Sequence, residues 1–309
     1  MQTPLSVTDL ERAERRAAII TVVTPILAVL FAGWHFWGHG LSLLDVILAL
    51  VMYSITMIGI TVGYHRLFTH RSFQCTSPVR MALCIAGSMA AQGPVLFWTA
   101  CHRRHHQCSD AEGDPHSPHL HGEGVRAVIA GCLHAHIGWM FWHRPENYIR
   151  RVPDLIRDRR LMVLNRIYPW LVIAGLLLPG AAALAITGKW SAAGTAVLWA
   201  GGVRLFVAHH TTWSINSICH LFGDSPYDTG DRSRNNGVCA VLTFGEGWHN
   251  NHHAFPTSAR HGLEWWQLDC SYWLIRAMSA VGLAWDLRHP SVEQLHSRSV
   301  APSEAGAGT

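Results

Sequence analysis

The chain has 309 residues, of which 49% are hydrophobic and 14% are charged, and its mean hydropathy is +0.14. This composition is too apolar and too poor in charge for an ordinary soluble protein of the same length. The formal net charge is +4, Lys189 is the only lysine, and no basic tract is present, which excludes nucleic acid as a partner.

Two apolar stretches, residues 19–37 and 41–62, follow a polar and charged N-terminal segment. Each is long enough to cross about 30 Å of hydrocarbon as a helix. No small-residue cleavage site follows the first stretch, as a secretory signal peptide would require. We therefore predict a first membrane hairpin whose second helix ends just before His65.

Histidines form three clusters along the chain, two of them with the spacing His-x-x-His-His. On a helix these positions share one face, so three imidazoles can converge on one point. The other cluster has i, i+5 spacing, which requires the helix to end or bend if both rings are to reach one metal. Eight or nine imidazoles exceed what one ion accepts, so the pattern predicts a pair of metal ions. The clusters are His65 and His70; His102, His105 and His106; and His249, His252 and His253.

Residues 79–98 form a further apolar stretch, but Gln92, Gly93 and Pro94 interrupt it. If it crossed the membrane, the bilayer would separate the first histidine cluster from the second. Because a shared metal site requires both clusters on one side, we predict an interfacial or re-entrant helix here.

Residues 163–187 and 192–207 form a second apolar pair, joined by residues 188–191. Arginines precede the first hairpin and are frequent between the hairpins, whereas the short turns carry only Lys189. Because positively charged loops stay in the cytoplasm, both termini and all three clusters are predicted to be cytoplasmic. The eight cysteines contain no Cys-x-x-Cys pair, so we expect reduced thiols with no metal role.

The segment after the second cluster is acidic and rich in turns, with Asp110, Glu112 and Asp114. These carboxylates either hold the distal N–H groups of ligand imidazoles or belong to a solvated turn, and both interpretations stay open. His134 and His136 are two residues apart and do not share a helix face, so they are not assigned as ligands.

Beyond the fourth apolar stretch, Asn216 and His220 have i, i+4 spacing and share a helix face. His220 becomes a ninth candidate ligand, and Asn216 a polar neighbour that can hold a water molecule. His209 and His210 are rivals that spacing alone does not exclude.

The composition of two other segments indicates their environment. Residues 144–160 are arginine-rich and amphipathic, which is typical of contact with lipid headgroups. Residues 301–309 are small and polar, so we predict a disordered tail.

Several of these features form motifs in a fixed order. They are Gly59-Ile60-Thr61-x-Gly63-x-His65-Arg66-Leu67 with His70; His102-Arg103-x-His105-His106; Asp114-Pro115-His116; His136-Ile137-Gly138-Trp139; Thr212-Trp213-x-x-Asn216-Ser217-x-x-His220; and Gly245-Glu246-Gly247-x-His249-Asn250-x-His252-His253 with Phe255-Pro256. From about residue 41 to residue 287, the chain resembles the membrane fatty acyl desaturases, specifically the stearoyl-CoA Δ9 branch and its bacterial relatives.

The resemblance implies an all-α membrane protein, with four transmembrane helices in two hairpins under a cytosolic helical cap that holds a di-iron centre. It implies one domain over residues 1–300, two iron ions as cofactors and O2 as co-substrate. It also assigns Asn216 to iron through a water molecule and leaves His209 and His210 unmatched. The implied iron ligands are His65, His70, His102, His105, His106, His220, His249, His252 and His253.

The resemblance also implies a bent tunnel for the acyl chain. Gln92, Trp98 and Thr212 match residues at the bend, and Trp213 matches a residue that contacts substrate. Tyr53 and Met57, twelve and eight residues before His65, match the tunnel end. Family members usually have a small residue where Met57 stands.

The implied activity is the insertion of a cis double bond, at Δ9, into a saturated acyl thioester, foremost acyl-CoA. CoA-binding members of the family have Asn, Arg and Asp at three positions where this chain has Gly93, Ala100 and Cys101. Acyl carrier protein and phospholipid ester therefore stay open as carriers. Further implications are a separate electron donor of the ferredoxin or cytochrome b5 type with a reductase, and a bacterial inner membrane. The alternatives are a hydroxylase or acetylenase on the same scaffold. A metal transporter is disfavoured because the spans contain few ionisable residues.

Overall fold

The computed structural model describes residues 7–35, 37, 41–142 and 148–300. Within these ranges the protein is mostly helical, and its two short strands, β1 (Gln74–Cys75) and β2 (Ala284–Trp285), pair antiparallel. Four helical segments are long and apolar enough to cross a membrane, which confirms the predicted number of candidate spans. They are Glu11–His35, Leu43–Thr69, Tyr168–Thr187 and Trp190–His220.

The first hairpin consists of α1 (Val7–His35) and α2 (Leu43–Ile58), and α2 continues without a break into a π-helical segment, Gly59–Thr69. The side chain of Ser42 caps α2 by accepting a hydrogen bond from the Asp45 N–H. The predicted end of the second span before His65 was wrong, because this helix carries that histidine within itself. Residues 38–40, the predicted turn, lie outside the described ranges.

The π-helical segment explains the i, i+5 spacing of His65 and His70. The His70 N–H donates to the His65 carbonyl at 3.1 Å, which is the i→i+5 bond of a π-helix. The wider winding places the two rings 4.8 Å apart. The helix also ends at Thr69, so that His70 is its C-cap residue, which agrees with the prediction that the helix ends or bends between the two histidines.

The stretch predicted as one interfacial helix over residues 79–98 is two helices, α3 (Ser77–Ser88) and α4 (Val95–Gln107). The prediction was wrong because Gly93 has a left-handed φ of 102° and precedes Pro94, which disfavours α geometry in the residue before it. With 12 residues, α3 is too short to cross a membrane as a helix.

The second hairpin also differs from the predicted boundaries. The helix α7 (Arg159–Arg166) ends before Ile167, and α8 (Tyr168–Thr187) begins as a separate helix, so the predicted start at residue 163 was wrong. The fourth span runs further than residue 207. It comprises α9 (Trp190–Ala196), a π-helical segment (Val197–Val203), α10 (Arg204–Ser217) and a 3-10 turn (Ile218–His220).

The spans present apolar side chains outward, as helices in contact with lipid do. Leu27, Leu30, Leu50 and Leu177 are all exposed. Charged side chains within the spans are buried at Asp45, Arg66 and Arg204, and the guanidinium of Arg204 donates to the carbonyls of Ala200, Met89 and Gly175. This arginine is satisfied inside the bundle rather than presented to a transport path.

The remaining helices form the cap that adjoins the histidine-bearing ends of the spans. They are α5 (Val125–Leu133), a π-helical turn (His134–Gly138), α6 (Trp139–Trp142), a 3-10 turn (Tyr148–Arg151), α11 (Gly237–Leu242), α12 (His249–Ala254), α13 (Cys270–Ala280) and α14 (Val292–Arg298). A buried apolar core that includes Tyr64, Phe68, Phe73, Leu161 and Ile275 joins the cap to the π-helical segment of the second span.

Two of the predicted segments lie partly or wholly outside the described ranges. In the described part of the arginine-rich run over residues 144–160, the 3-10 turn Tyr148–Arg151 is followed by loop turns as far as α7, and the contact with lipid headgroups stays a prediction. Residues 144–147 and the predicted tail, 301–309, lie outside the described ranges.

Candidate metal centre

All nine histidines that were predicted as ligands meet in two adjacent groups. Within each group the candidate ligand nitrogens lie within 4.8 Å of one another. The five-histidine group consists of His65, His70, His102, His106 and His252. The four-histidine group consists of His105, His220, His249 and His253.

Each His-x-x-His-His motif contributes to both groups. On α4, His102 and His106 join the five-histidine group, whereas His105 joins the other. On α12, His249 and His253 join the four-histidine group, whereas His252 joins the five-histidine group. The prediction that three imidazoles of one motif converge on one point was therefore wrong. Residues i and i+4 are about 40° apart around a helix, whereas residue i+3 lies about 60° to the other side.

The imidazole nitrogens of each group point at one another. In the five-histidine group, Nε2 of His252 lies 3.0 Å from Nε2 of His65 and 2.9 Å from Nε2 of His106. In the four-histidine group, Nε2 of His220 lies 3.0 Å from Nε2 of His249. Converging nitrogen donors of this kind match the needs of a metal ion.

Burial and protonation also fit a metal. Burial, reinforced by neighbouring imidazoles, lowers the pKa of His102, His106 and His252 well below the usual value of a histidine. Neutral imidazole is the form that binds metals. The buried Nε2 of His70 has no hydrogen-bond partner, which a metal ion at this position would supply.

Four carboxylates stand directly behind four of the histidines. Nδ1 of His105 donates to Asp114 at 3.0 Å, and Nδ1 of His220 donates to Asp110 at 2.9 Å. The predicted role of these two acids as holders of imidazoles is therefore observed, whereas the third candidate, Glu112, is exposed. The two remaining pairs, which the sequence did not predict, are His253 with Asp231 at 2.6 Å and His65 with Glu246.

Spacing alone did not point to Asp231 or Glu246. Glu246 lies three residues before His249 in the Gly-Glu-Gly-Trp motif, but its partner is His65, far away in the chain. Burial raises the pKa of Asp231, but the hydrogen bond and charge of His253 outweigh it, so the pKa lies well below its usual range. Asp231 is therefore an anion behind His253.

Two further histidines adjoin the groups and were not predicted as ligands. His116 lies beside His105 and Asp114, and burial is the main cause that lowers its pKa to about 3. His261 packs against His252 with ring centroids 4.5 Å apart and accepts a hydrogen bond from the buried Arg66.

The other candidates at this end of the fourth span lie outside both groups. Nε2 of His209 donates to the Ala90 carbonyl at 2.8 Å, and His210 pairs with His136 at 2.9 Å. Asn216 is half-buried on α10, but the chain changes from α-helix to a 3-10 turn after Ser217. Asn216 and His220 consequently do not share one α-helical face, and the water-mediated role of Asn216 stays a prediction.

The residues predicted to bend the acyl chain lie beside the five-histidine group or near one another. The Gln92 amide donates to the Thr212 hydroxyl at 3.0 Å, linking the α3–α4 connection to α10. The Trp98 ring stacks on His102 with centroids 5.1 Å apart. Trp213 is buried and packs on His209 at 5.0 Å.

The predicted tunnel-end residues share a face of α2, four residues apart. The Tyr53 hydroxyl donates to the Leu242 carbonyl of the cap at 2.6 Å, and Met57 is 2% exposed, so it does not face lipid.

Comparison with known proteins agrees with this architecture. The fatty acid desaturase family model matches residues 41–286. A hex-5-enoyl-(acyl-carrier protein) acetylenase of Moorena producens is 42% identical over 90% of this chain and 88% of its own length. An sn-1 stearoyl-lipid 9-desaturase of Anabaena variabilis is 41% identical over 78% of this chain and 82% of its own length.

An acyl-CoA 5-desaturase of Anemone leveillei is 36% identical over 82% of this chain and 74% of its own length. These relatives share the family but differ in carrier and in the bond that their names specify. The chain belongs to the fatty acid desaturase family and is an oxidoreductase that acts on acyl chains.

Proposed function

We propose that this protein is an O2-dependent desaturase that inserts a cis double bond, at Δ9, into a saturated acyl thioester. The observation that carries the proposal is the meeting of nine histidines in two adjacent groups, with Trp98 stacked against one of them. The nine histidines would hold two iron ions, and Asn216 would contact one of them through water. Relatives named as 9-desaturases support the position of the bond.

The chemical problem is an unactivated methylene, from which no acid or base side chain removes hydrogen. A bound pair of iron ions supplies the activation of O2 that this step needs. The protein's own residues do the rest by orientation. The buried carboxylates fix the imidazoles, and Trp98 forms an apolar wall beside the five-histidine group.

The tunnel would determine which carbon–carbon bond is oxidised. The Gln92–Thr212 hydrogen bond joins two elements at the proposed bend, so it can hold the chain in a curved path. Trp213 would contact the carbonyl end of the substrate, and Met57 would limit the length beyond the bend. Fixing these distances restricts reaction to one pair of carbons.

Desaturation with O2 yields water and requires two electrons and two protons beyond the two hydrogens of the substrate. We propose that the protons come from water and that the electrons come from a separate acidic electron-carrier protein, which docks at a pocket of about 610 Å³. Four arginines and one aspartate in its lining leave three formal positive charges, which favour an acidic partner. The lining residues are Arg71, Arg103, Gln107, Arg150, Arg151, Pro153 and Asp154.

The pocket lies close to the five-histidine group along the chain. Arg71, Arg103 and Gln107 directly follow His70, His102 and His106. Asp154 pairs with Arg71 at 2.8 Å and with Arg103 at 2.7 Å, which fixes these arginines in place. A protein docked here would therefore contact residues that are next in sequence to three of the proposed ligands.

Docking is tested by Arg150→Glu, with the exposed Arg276→Glu on α13 as the matched control. We expect Arg150→Glu to raise KM for the electron donor several-fold, while KM for the acyl substrate stays unchanged and Arg276→Glu has no effect. A change in the acyl KM alone would instead assign the pocket to the substrate carrier.

The function itself is tested by expression in a desaturase-deficient host, followed by analysis of total fatty acids. The expected product is two hydrogens lighter than its saturated parent, with the bond at Δ9. The His249→Ala variant serves as the inactive control. Purified protein supplied in turn with acyl-CoA, acyl carrier protein thioester and phospholipid then identifies the carrier, for which we propose a thioester, foremost acyl-CoA.

A second candidate activity is acetylenation, because the relative from Moorena producens is named as an acetylenase. An acetylenase would remove two further hydrogens from an alkenyl chain and leave the saturated chain unchanged. Supplying both chains to the same preparation separates the two activities. A hydroxylase would instead give a product one oxygen heavier.

A further inference from the structure

The two histidine groups differ in the charge that stands behind them. In the four-histidine group, three of the four imidazoles donate from Nδ1 to a carboxylate, and the bonds are 2.6 to 3.0 Å long. In the five-histidine group, among the residues that the structure describes, only His65 has such a partner, Glu246. The three pairs of the four-histidine group are His105 with Asp114, His220 with Asp110, and His253 with Asp231.

The three aspartates are sheltered from water and held in place by neutral donors. Their side chains are at most 7% exposed. Backbone N–H groups donate to Asp114, and hydroxyl groups donate to Asp110 and Asp231. Within the described part of the chain, the salt bridges of all three aspartates are with histidines, so no guanidinium offsets their charge.

Glu246 differs from the three aspartates because it forms a salt bridge with an arginine. The fully buried Arg66 lies 3.4 Å from Glu246 and 3.0 Å from Asp269. Behind the five-histidine group, one guanidinium therefore lies between two carboxylates and leaves one net negative charge, whereas the three aspartates behind the four-histidine group carry three. One imidazole of each group, His252 and His249, has a buried Nδ1 without a hydrogen-bond partner, so this feature does not distinguish the groups.

A carboxylate that accepts the distal N–H of an imidazole fixes the ring and makes its other nitrogen a stronger donor. An uncompensated negative charge nearby also stabilises a metal cation, most strongly in a buried site. We infer that the two metal positions are unequal and that the four-histidine group binds Fe(II) more tightly and fills first. Asp110, Asp114 and Asp231 are then positioning residues. This inference rests on the proposed function in taking both groups as iron sites.

The test is an anaerobic equilibrium titration of the metal-free protein in detergent with 57Fe(II). We expect two classes of site, one of each per chain. Asp114→Asn or Asp231→Asn should weaken the tighter class roughly ten- to hundredfold and leave the weaker class in place. Asparagine keeps the size and an acceptor oxygen, so these variants remove mainly the charge. Glu246→Gln is the matched change behind the other group and should weaken only the weaker class.

Histidine variants assign the classes to the groups. His249→Ala should remove the tighter class and His70→Ala the weaker one. Mössbauer spectra of the wild type with one equivalent of iron should show one dominant quadrupole doublet, and the second equivalent should add a different one.

Binding of both equivalents with a single affinity would overturn the inference, as would a tighter class that responds to Glu246→Gln but not to Asp114→Asn. Equal loss of both classes in the two aspartate variants, with helicity retained by circular dichroism, also contradicts it. The titration does not involve substrate, so it is independent of desaturation. Single-affinity binding in an active desaturase would overturn this inference alone, whereas unequal binding in a protein that leaves acyl chains unchanged would overturn the proposed function alone.

Discussion

At the residue scale, the chemistry of the centre depends on how nine imidazoles turn their nitrogens towards one another in two groups. Each imidazole has two nitrogens, and the one that faces the group is selected by what holds the other. At His105 the selecting group is a carboxylate that contacts Nδ1 with both oxygens. Replacing one ligand histidine therefore removes a metal-binding nitrogen and also disturbs the orientation of the neighbouring side chains.

The first prediction concerns these ligands. Changing His65, His102 or His252 to Ala should abolish activity and lower the iron content, because each removes a nitrogen from the five-histidine group. Iron per chain is measured by mass spectrometry, and activity by product formation. His121→Ala, at an exposed site where the ring packs on His134, should change neither. Full activity in several of the ligand variants would contradict the metal assignment.

The second prediction concerns pH. An unfolded histidine has a pKa of about 6.5, whereas the pKa values of His102, His106 and His252 are lowered in the folded protein. Below about pH 6.5 the unfolded chain binds more protons than the folded chain, so the free energy of unfolding falls as the pH falls. Each such histidine contributes up to about 1.4 kcal/mol per pH unit.

Thermal unfolding of the metal-free protein in detergent should therefore shift to lower temperature as the pH is lowered from about 7.5 to about 5.5. In the iron-loaded protein, acidification should also release metal, because protons compete for the imidazoles. A thermal midpoint of the metal-free protein that stays constant over this range would be inconsistent with buried neutral histidines.

At the scale of elements, the second span depends on the close crossing of its π-helical segment with α3. A Cβ atom at Gly59 would lie 2.1 Å from the backbone nitrogen of Gly87, so no other residue fits without displacing α3. This crossing helps to position the helix that carries His65 and His70. The sequence shows the glycines but not the helix on which they pack.

The third prediction follows from that contact. Gly59→Ala should destabilise the protein by about 1–3 kcal/mol, the usual cost of overpacking, and should lower its iron content. Gly194→Ala on α9 is the control, because a Cβ there meets nothing within 4 Å. Since alanine is the better helix former, Gly194→Ala should be neutral or stabilising by about 0.5–1 kcal/mol. Thermal midpoints of equal value for the two variants would contradict the close-packing argument.

The fourth prediction concerns Met57, which is buried on α2 and proposed to narrow the tunnel end. Met57→Ala should shift the chain-length preference towards longer acyl chains, while the double bond stays at the same distance from the carbonyl. The assay compares wild type and variant on acyl chains of graded length. Met52→Ala is the control, since Met52 is buried on the same helix against Met89 and Ala200. An unchanged length profile in Met57→Ala would place this residue outside the tunnel.

The elements also show which structural features could be predicted from the sequence. Apolar length predicted four spans, and histidine spacing picked eight of the nine residues that meet in the centre. The family resemblance selected His220 over His209 and His210. The π-helical winding of residues 59–69 was not predictable, because no residue pattern distinguishes it from an interrupted α-helix. Asp231 and Glu246 were missed because each faces a histidine that tertiary structure alone brings near.

At the scale of the whole molecule, the second helix of each hairpin ends in proposed ligands. The Leu43–Thr69 span carries His65, and the Trp190–His220 span ends in His220. The turn between α8 and α9, at Gly188 and Lys189, therefore lies at the far end of the second hairpin. If the spans cross a membrane, all nine histidines lie on one side.

The fifth prediction is this topology. In a variant without native cysteines, a cysteine introduced at Lys189 should react with a membrane-impermeant reagent added outside the cells. Cysteines introduced at the exposed Arg71 and Gln107, next to His70 and His106, should react only after the membrane is opened. Labelling of Arg71→Cys and Gln107→Cys from opposite sides would defeat the shared site.

The split of each His-x-x-His-His motif has a consequence for how the protein matures during synthesis. The five-histidine group takes two members from the first hairpin and one from α12, and the four-histidine group takes His220 from the second hairpin and two members from α12. Neither group is complete until the ribosome has passed residue 253 and α12 has closed onto α4. Iron loading would then report that both hairpins have inserted and that the cap has closed, because a chain stalled before α12 lacks ligands of both ions.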